Sequence, residues 1–208
     1  EVHDMVPDVT PLVAPMPVST ALFAPGDTRA TDRVLFVGRL NAQKGIALLL
    51  DAVARMRHRV HFDLVGDGSD APVLRAQAER LGIADRLTWH GALPQTALPA
   101  LYQRASALVV PSIGEGLGLV AVEAQLCGAP VVAFESGGIT DTVTHGETGL
   151  LVPPGDVNAL AEALDRLFDD PELRLALGRA GRMSALGDFA PESAARRYAT
   201  LYRTIVAP

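Results

Sequence analysis

From residue 33 onward, the chain alternates short apolar runs with longer stretches of helical period. The apolar runs are rich in Val, Leu and Phe, which is typical of buried strands. They cover residues 34–38, 60–66, 86–91, 106–112, 129–134 and 149–153. Helical patterns follow the first four of them, over residues 45–58, 69–82, 96–105 and 117–128. This alternation predicts an α/β fold with a doubly wound, parallel, six-stranded sheet.

Two parts of the chain lie outside this alternation. Three further helical patterns follow the sixth strand with no strand between them, over residues 156–170, 171–186 and 191–206. Residues 1–31 contain five prolines and no sustained period, which predicts an inter-domain linker. We therefore expect residues 32–208 to form one domain, preceded in the complete protein by an N-terminal domain that this chain lacks.

The overall composition bears on the binding partners and the cellular location of the protein. With 49% hydrophobic residues the chain can bury an ordinary core, and its formal net charge of -6 gives no basic surface for nucleic acid. The single cysteine, Cys127, excludes an internal disulfide and is typical of a reducing compartment. No apolar run reaches the ~18 to 20 residues of a membrane-spanning helix. We therefore expect a cytoplasmic location and no nucleic-acid partner.

The last helical pattern combines apolar positions with arginines. Arg196, Arg197 and Arg203 alternate there with Tyr198 and Leu201. One interpretation is that this helix docks on another domain, and the other is that it associates peripherally with the cytoplasmic face of a membrane. The pattern leaves both open.

Two unusual loops follow the first and fourth predicted strands. In the common strand order 3-2-1-4-5-6, ligands bind at the carboxyl ends of these two strands, where the winding direction reverses. The first loop places Arg39 and Lys44 just before a helix, where an anion such as diphosphate would balance both cations and the helix dipole. The alternative is a solvated loop that happens to be basic.

The second loop alternates glycines with an acidic residue. Gly114, Gly116 and Gly118 allow a ligand to approach the backbone closely, and the N–H groups that open the next helix form a second phosphate cradle. Glu115 either binds a ligand or is merely a favourable acid at a helix N-terminus. Glu123 lies in an otherwise apolar helix, so its carboxylate needs hydrogen-bond donors. We expect the acids to hold hydroxyls and the glycines and cations to hold phosphate.

These motifs resemble the C-terminal, donor-binding domain of retaining GT-B glycosyltransferases of the glycogen-synthase-like, family 4 type. The segments that carry the resemblance are VGRLNAQKG, VGDG, LTWHGAL and the long run over residues 111–156. The pair of glutamates with seven residues between them is followed here by an A-x-x-x-G-x-P-V-V run at residues 124–132. The similarity extends from about residue 33 to residue 208 and implies a Rossmann-like sheet with extra C-terminal helices.

The resemblance implies a role for each matching position. Arg39 and Lys44 would contact the diphosphate of a nucleotide-sugar donor. Glu115 would bind hydroxyls of the donor sugar, and Glu123 would bind the ribose. The other donor-binding positions are Gly38, Gly66, Leu93, Gly116, Leu117, Gly118 and Leu119. The family implies no metal or other cofactor, and the nucleoside diphosphate sugar is a co-substrate; the acceptor is unknown.

The implied function is transfer of a sugar, with retention, from a nucleoside diphosphate to an acceptor. Because the family's acceptor site lies mostly on the N-terminal domain, we expect this chain alone to bind nucleotide but to transfer nothing appreciable. The alternatives are other GT-B chemistry, such as a sugar-phosphate synthase or a nucleotide-sugar epimerase, and a non-catalytic nucleotide-binding module. Two segments depart from the family pattern: Asp141 stands where a Glu is common, and residues 14–23 lack an Asn-Gly pair.

Overall fold

The computed structural model describes residues 16–27 and 29–206, and the side chains up to residue 204. Its centre is a parallel sheet of six strands in the order β3-β2-β1-β4-β5-β6. The strands are β1 (Arg33–Val37), β2 (His61–Val65), β3 (Leu87–Gly91), β4 (Ala107–Val110), β5 (Val131–Phe134) and β6 (Gly149–Val152). The predicted fold class is confirmed, the strand order is the common one assumed above, and the observed strands are shorter than several of the apolar runs.

Helices cover both faces of the sheet. They are α1 (Ile46–Arg55), α2 (Ala71–Arg80), α3 (Leu98–Arg104), α4 (Leu119–Leu126), α5 (Val157–Asp169), α6 (Pro171–Phe189) and α7 (Pro191–Val206). Successive residues of β1 point to opposite faces, so that Val34 and Phe36 pack with α1 and α5, while Leu35 packs with α3 and α4. Two hydrophobic cores therefore lie on either side of one sheet, which explains why the strands are almost continuously apolar.

Capping signals in the sequence set several helix ends. The side chain of Asp156 accepts a hydrogen bond from the N–H of Ala159 at the start of α5. Asp170 caps α6 in the same way, with a proline in the first turn. Gly128, with φ 78°, follows the end of α4 and is the last residue of the predicted helical pattern. The last three helices thus begin close to where the sequence predicts.

The described part of the predicted linker packs against the domain. The side chains of Val18 and Phe23 are buried, and the N–H of Val18 donates to the carbonyl of Phe189 at 2.8 Å. Residues 1–15 and 28 lie outside the described residues. A connection to another domain stays a prediction, but Val18 and Phe23 already form part of this domain's core.

A buried carboxylate joins the first three strands. Asp63 of β2 accepts hydrogen bonds from Nε and Nη2 of Arg33 in β1 and lies 2.8 Å from Nε2 of His90 in β3. Burial raises the pKa of Asp63, but the Arg33 and His90 partners outweigh that effect and leave the pKa below its ordinary value. The ionised carboxylate therefore stabilises this side of the sheet.

Within residues 16–27 and 29–206, none of the helices combines the length and the apolar character that a membrane crossing requires. The last helix, α7, keeps an exposed Tyr202 among its arginines. Neither docking on another domain nor peripheral membrane association is tested by this geometry, and both stay predictions.

Candidate functional site

The two predicted loops meet where the strand order reverses. β1 and β4 are neighbours in the sheet, and the loops that follow them touch directly. Nε2 of Gln43 donates to the carbonyl of Gly114 at 3.0 Å, and the N–H of Ile113 donates to the carbonyl of Gln43 at 2.8 Å. The convergence expected from the assumed strand order is therefore present in the structure.

The first loop has a conformation that its sequence specifies locally. Asn41 caps a single 3-10 turn, Ala42–Lys44, by accepting a hydrogen bond from the N–H of Lys44. Gly45 follows with φ 66°, and a Cβ there would lie 1.8 Å from the carbonyl oxygen of Pro111 in the second loop. Only glycine combines this backbone conformation with such a close approach. Gly45 therefore allows the two loops to come together just before α1.

An ion pair links the two loops. Nζ of Lys44 donates to Oε2 of Glu115 at 2.8 Å, and the two side chains are only 20% and 10% exposed. Burial raises the pKa of Glu115, but the Lys44 ammonium and the N–H of Gly116 outweigh it, so the pKa lies below its ordinary value. Separate roles were predicted for Lys44 and Glu115, whereas in the structure the two side chains are partners.

The loop carrying Glu115 is also held by the loop after β5. Glu115 forms a short bridge with Gly137, and the N–H of Gly138 donates to the carbonyl of Glu115 at 3.0 Å. A Cβ on Gly138 would lie 1.8 Å from the carbonyl oxygen of Gly116. Gly137 and Gly138 thus let the Glu115 loop pack directly against the loop after β5, a contact that was not predicted from the sequence.

The predicted phosphate cradle lies at the start of α4. Gly116, Leu117 and Gly118 form the end of the loop, and Leu119 is the first residue of the helix. The first N–H groups of an α-helix lack partners within the helix and favour anions. Since Glu115 directly precedes them and holds Lys44, the cation and the cradle occupy the same corner of the domain.

Beside this corner, a cavity of about 340 Å³ opens at the carboxyl ends of the first three strands. Its lining residues are Val37, Gly38, Arg39, Val65, Gly66, Asp67, Ala92, Leu93 and Leu98. The predicted site residues Gly38, Arg39, Gly66 and Leu93 are therefore brought together. Arg39 is exposed and forms no ion pair within the described part of the chain. The contribution of Leu98 was missed because helical period alone does not show which residue faces a cleft.

Glu123 is buried, and its carboxylate finds a donor in the neighbouring helix. The hydroxyl of Tyr102 in α3 donates to Oε2 of Glu123 at 2.7 Å, and Glu123 is 8% exposed. Burial raises the pKa of Glu123, and the Tyr102 hydroxyl and the Gln95 side chain offset only part of that rise. The need for donors was predicted, but Tyr102 was not. The signal in the sequence was that Tyr102 is the one aromatic residue with a hydroxyl in the α3 segment, and a buried hydroxyl needs a hydrogen-bond partner.

A comparison with known protein families gives a single assignment for most of the chain. Residues 25–184 match the family model described as glycosyl transferases group 1. The chain belongs to the glycosyl transferases group 1 family. This assignment agrees with the resemblance deduced from the Lys44 and Glu115 loops, and it covers all the predicted site residues.

Curated proteins include relatives that share more than a third of their aligned residues with this chain. The chain is 39% identical over 209 residues to a D-inositol 3-phosphate glycosyltransferase of Kribbella flavida, covering 90% of this chain and 49% of the relative. It is 39% identical over 163 residues to a 2-deoxystreptamine glucosyltransferase of Streptomyces kanamyceticus, covering 77% and 42%. The chain thus spans about half the length of the curated relatives it matches.

Solved structures share the fold. A sucrose-phosphate synthase of Thermosynechococcus elongatus has a TM-score of 0.86 and 36% identity, covering 94% of this chain and 53% of that one. HepE of Anabaena, solved with UDP, has a TM-score of 0.84 and 25% identity, covering 95% and 57%. An isolated C-terminal domain of the group 1 protein LpcC from Francisella tularensis has a TM-score of 0.77 and 21% identity, covering 84% and 99%. A domain of this fold therefore crystallises on its own.

Proposed function

We propose that this chain is the donor-binding domain of a retaining glycosyltransferase, which moves a sugar from a nucleoside diphosphate to an acceptor. The observation that carries the proposal is the convergence of the Lys44 loop and the Glu115 loop beside the cavity that Arg39 lines. Cations, free helix N–H groups and a mainly apolar recess are the partners that diphosphate and a nucleobase require. The UDP complex of HepE supports this choice of ligand class.

The proposed roles follow from position. Arg39, Lys44 and the N–H groups of residues 116–119 hold the diphosphate, and they offset the negative charge that builds on it as the sugar departs. Glu115, which precedes these N–H groups, binds hydroxyls of the donor sugar. These residues already offer a guanidinium, an ammonium and backbone donors for the diphosphate, and the proposal includes no metal.

The nucleoside part is assigned to the cavity and to Glu123. Gly38, Gly66 and Leu93 line the recess at the ends of β1, β2 and β3, where a base can stack against apolar side chains. Glu123 is assigned to the same ligand because its donor, Tyr102, follows the cavity residue Leu98 by one helical turn in α3. Its carboxylate is proposed to accept from the ribose hydroxyls.

Thermal-shift screening of the chain against UDP, GDP, ADP and TDP and their sugars tests the proposal. A ligand that binds only the folded state raises the melting temperature in a concentration-dependent way. We expect one base to stand out. No shift with any of the four diphosphates at millimolar concentration would refute donor binding.

Catalysis is proposed to need more of the protein than this chain, which spans about half the length of its curated relatives. The chain alone is expected to hold nucleotide without transferring sugar, and sustained transfer by the chain alone would contradict this. In the full-length protein, Glu115→Ala should lower turnover far more than nucleoside diphosphate affinity.

A second candidate within the same fold is synthesis of a sugar phosphate. It is favoured by the 36% identity to a sucrose-phosphate synthase. Both candidates use the same donor site and differ in the acceptor. Product analysis of the full-length protein with phosphorylated and unphosphorylated acceptors separates them.

A further inference from the structure

A buried tyrosine sits directly behind the proposed ribose carboxylate. Tyr102 is 0% exposed, and its hydroxyl points from α3 to Oε2 of Glu123 in α4. Burial, followed by the neighbouring Glu123 carboxylate, raises the pKa of Tyr102 well above its ordinary value. The phenol therefore stays protonated and acts as a permanent donor to Glu123.

The ring of Tyr102 is held in place by the chain segment that precedes β1. Phe23 packs edge-on against it, with ring centroids 5.8 Å apart and an interplanar angle of 76°. The Phe23 side chain is 1% exposed. The tyrosine ring thus has a packed aromatic neighbour, which helps its hydroxyl to keep one direction.

A single arginine ties together the ends of the two helices that carry this pair. The guanidinium of Arg29 donates to the carbonyl of Tyr102 at 3.3 Å and to the carbonyl of Cys127 at 2.6 Å. It also donates to the carbonyl of Ala105. Tyr102 lies near the end of α3, and Cys127 directly follows α4. The spacing between the two helices, and with it the bond from Tyr102 to Glu123, is therefore fixed from the preceding segment.

The neighbouring donors leave the Glu123 carboxylate incomplete. A carboxylate has about four acceptor positions; the Tyr102 hydroxyl occupies one of them, and the Gln95 side chain is the other neutral group that lowers its pKa. Glu123 has no salt bridge among the described residues, so it depends on neutral donors. The Glu123 carboxylate can therefore accept further hydrogen bonds from hydroxyl groups. The orientation of the carboxylate determines which hydroxyls it can reach.

We propose that Tyr102 is a positioning residue for ribose recognition: its hydroxyl holds Oε2 of Glu123 so that the remaining acceptor positions face the ribose hydroxyls of the donor. This inference rests on the proposed function, in which Glu123 binds ribose. Tyr102 acts through Glu123 and does not touch the donor.

The test is the ratio of affinities for UDP and 2′-deoxy-UDP, measured by calorimetry on the chain. If the screen selects another base, the matching ribonucleotide and deoxyribonucleotide replace them. The wild-type chain should prefer the ribonucleotide about tenfold, the factor that a charged hydrogen bond supplies. In Tyr102→Phe the preference for the ribonucleotide should shrink to about twofold or less, because no hydroxyl then fixes the orientation of the Glu123 carboxylate.

The controls separate positioning from stability. Tyr202→Phe removes a hydroxyl from an exposed tyrosine and should keep the wild-type ratio. Glu123→Gln should lower the ratio as Tyr102→Phe does. Circular dichroism and the melting temperature report whether each variant is folded. A loss of packing alone would weaken both nucleotides equally and leave the ratio unchanged.

Two failures are distinguishable. If the wild-type chain binds no nucleotide, the proposed function fails and this inference fails with it. If the wild-type chain and Glu123→Gln behave as expected but Tyr102→Phe keeps the full ribose preference, the positioning role of Tyr102 is overturned while the proposed function stands.

Discussion

Replacing Lys44 by Met tests the pairing between the two loops most directly. Lys44 is the only lysine among the 208 residues, so the change removes the one side-chain amine of the chain. Met keeps most of the aliphatic length and deletes the charge. In the free protein the substitution leaves Glu115, which is 10% exposed, without its cation at 2.8 Å.

The expected loss follows from the geometry. A hydrogen bond to a charged group contributes about 1.5 to 3 kcal/mol, which corresponds to roughly 10- to 150-fold in affinity for a diphosphate. The ammonium of Lys44 is already bonded to Glu115 in the free protein. Binding of the diphosphate therefore weakens or replaces that bond, which reduces the net gain in free energy. We therefore expect Lys44→Met to weaken nucleoside diphosphate binding by about tenfold, toward the lower end of this range.

Calorimetry with the diphosphate and with the corresponding nucleoside measures this effect. The nucleoside lacks phosphate, so its affinity should change by no more than about twofold. Glu115→Gln provides the matched control, since it frees the ammonium from its partner. Its diphosphate affinity should equal or exceed that of the wild type.

The single lysine also allows a chemical assay. Bound diphosphate should protect Lys44 from an amine-reactive reagent, as read by mass spectrometry, whereas nucleoside should not. An unchanged diphosphate affinity in Lys44→Met, or full labelling of Lys44 in saturating diphosphate, would refute the phosphate role.

Three further changes test the loops, the sheet and the preceding segment. Gly138→Ala should lower the free energy of unfolding by about 1 to 3 kcal/mol and weaken diphosphate binding, because the new Cβ meets the Gly116 carbonyl. Gly187→Ala, with open space around it, should do neither. Asp63→Asn should lower the free energy of unfolding by about 1.5 to 3 kcal/mol at pH 7, measured in urea, because Arg33 and His90 lose a charged acceptor. The pKa of Asp63 is lower in the folded protein than in the unfolded chain, where it is about 3.9. Ionised Asp63 therefore stabilises the fold fully above that pH, and the stabilisation is lost as the pH falls through the folded pKa. The difference in unfolding free energy between Asp63→Asn and the wild type should narrow over the same range. Phe23→Ala should lower the free energy of unfolding by about 3 to 5 kcal/mol, and a loss under about 1 kcal/mol would show that the segment is not part of the core.

Much of the fold follows from local pattern. The apolar runs and helical periods are properties of neighbouring residues, and each strand or helix forms where its own side chains can be buried on one or both faces. Asp156, Asp170 and Gly128 mark helix ends by chemistry that acts within one turn. For this reason the fold class, six strands and the three C-terminal helices were predictable without knowing any distant contact.

The candidate site was predictable in its members but not in its contacts. Residue type and spacing pointed to Arg39, Lys44, Glu115 and Glu123, because isolated charges in glycine loops and apolar helices need ligands or partners. The pairing of Lys44 with Glu115 joins residues 71 positions apart, and no periodicity carries that information.

The tertiary structure alone decided which donors and neighbours surround these residues. Tyr102 reaches Glu123 only because α3 and α4 pack side by side, with Phe23 and Arg29 fixing them from a segment that the sequence marked as a linker. Burial is likewise a property of the assembled core, and it raises the pKa of Glu123 while the ion pair lowers that of Glu115. The sequence by itself thus determined the elements and the candidate chemistry, whereas the different environments of the two glutamates arise from contacts between residues far apart in the chain.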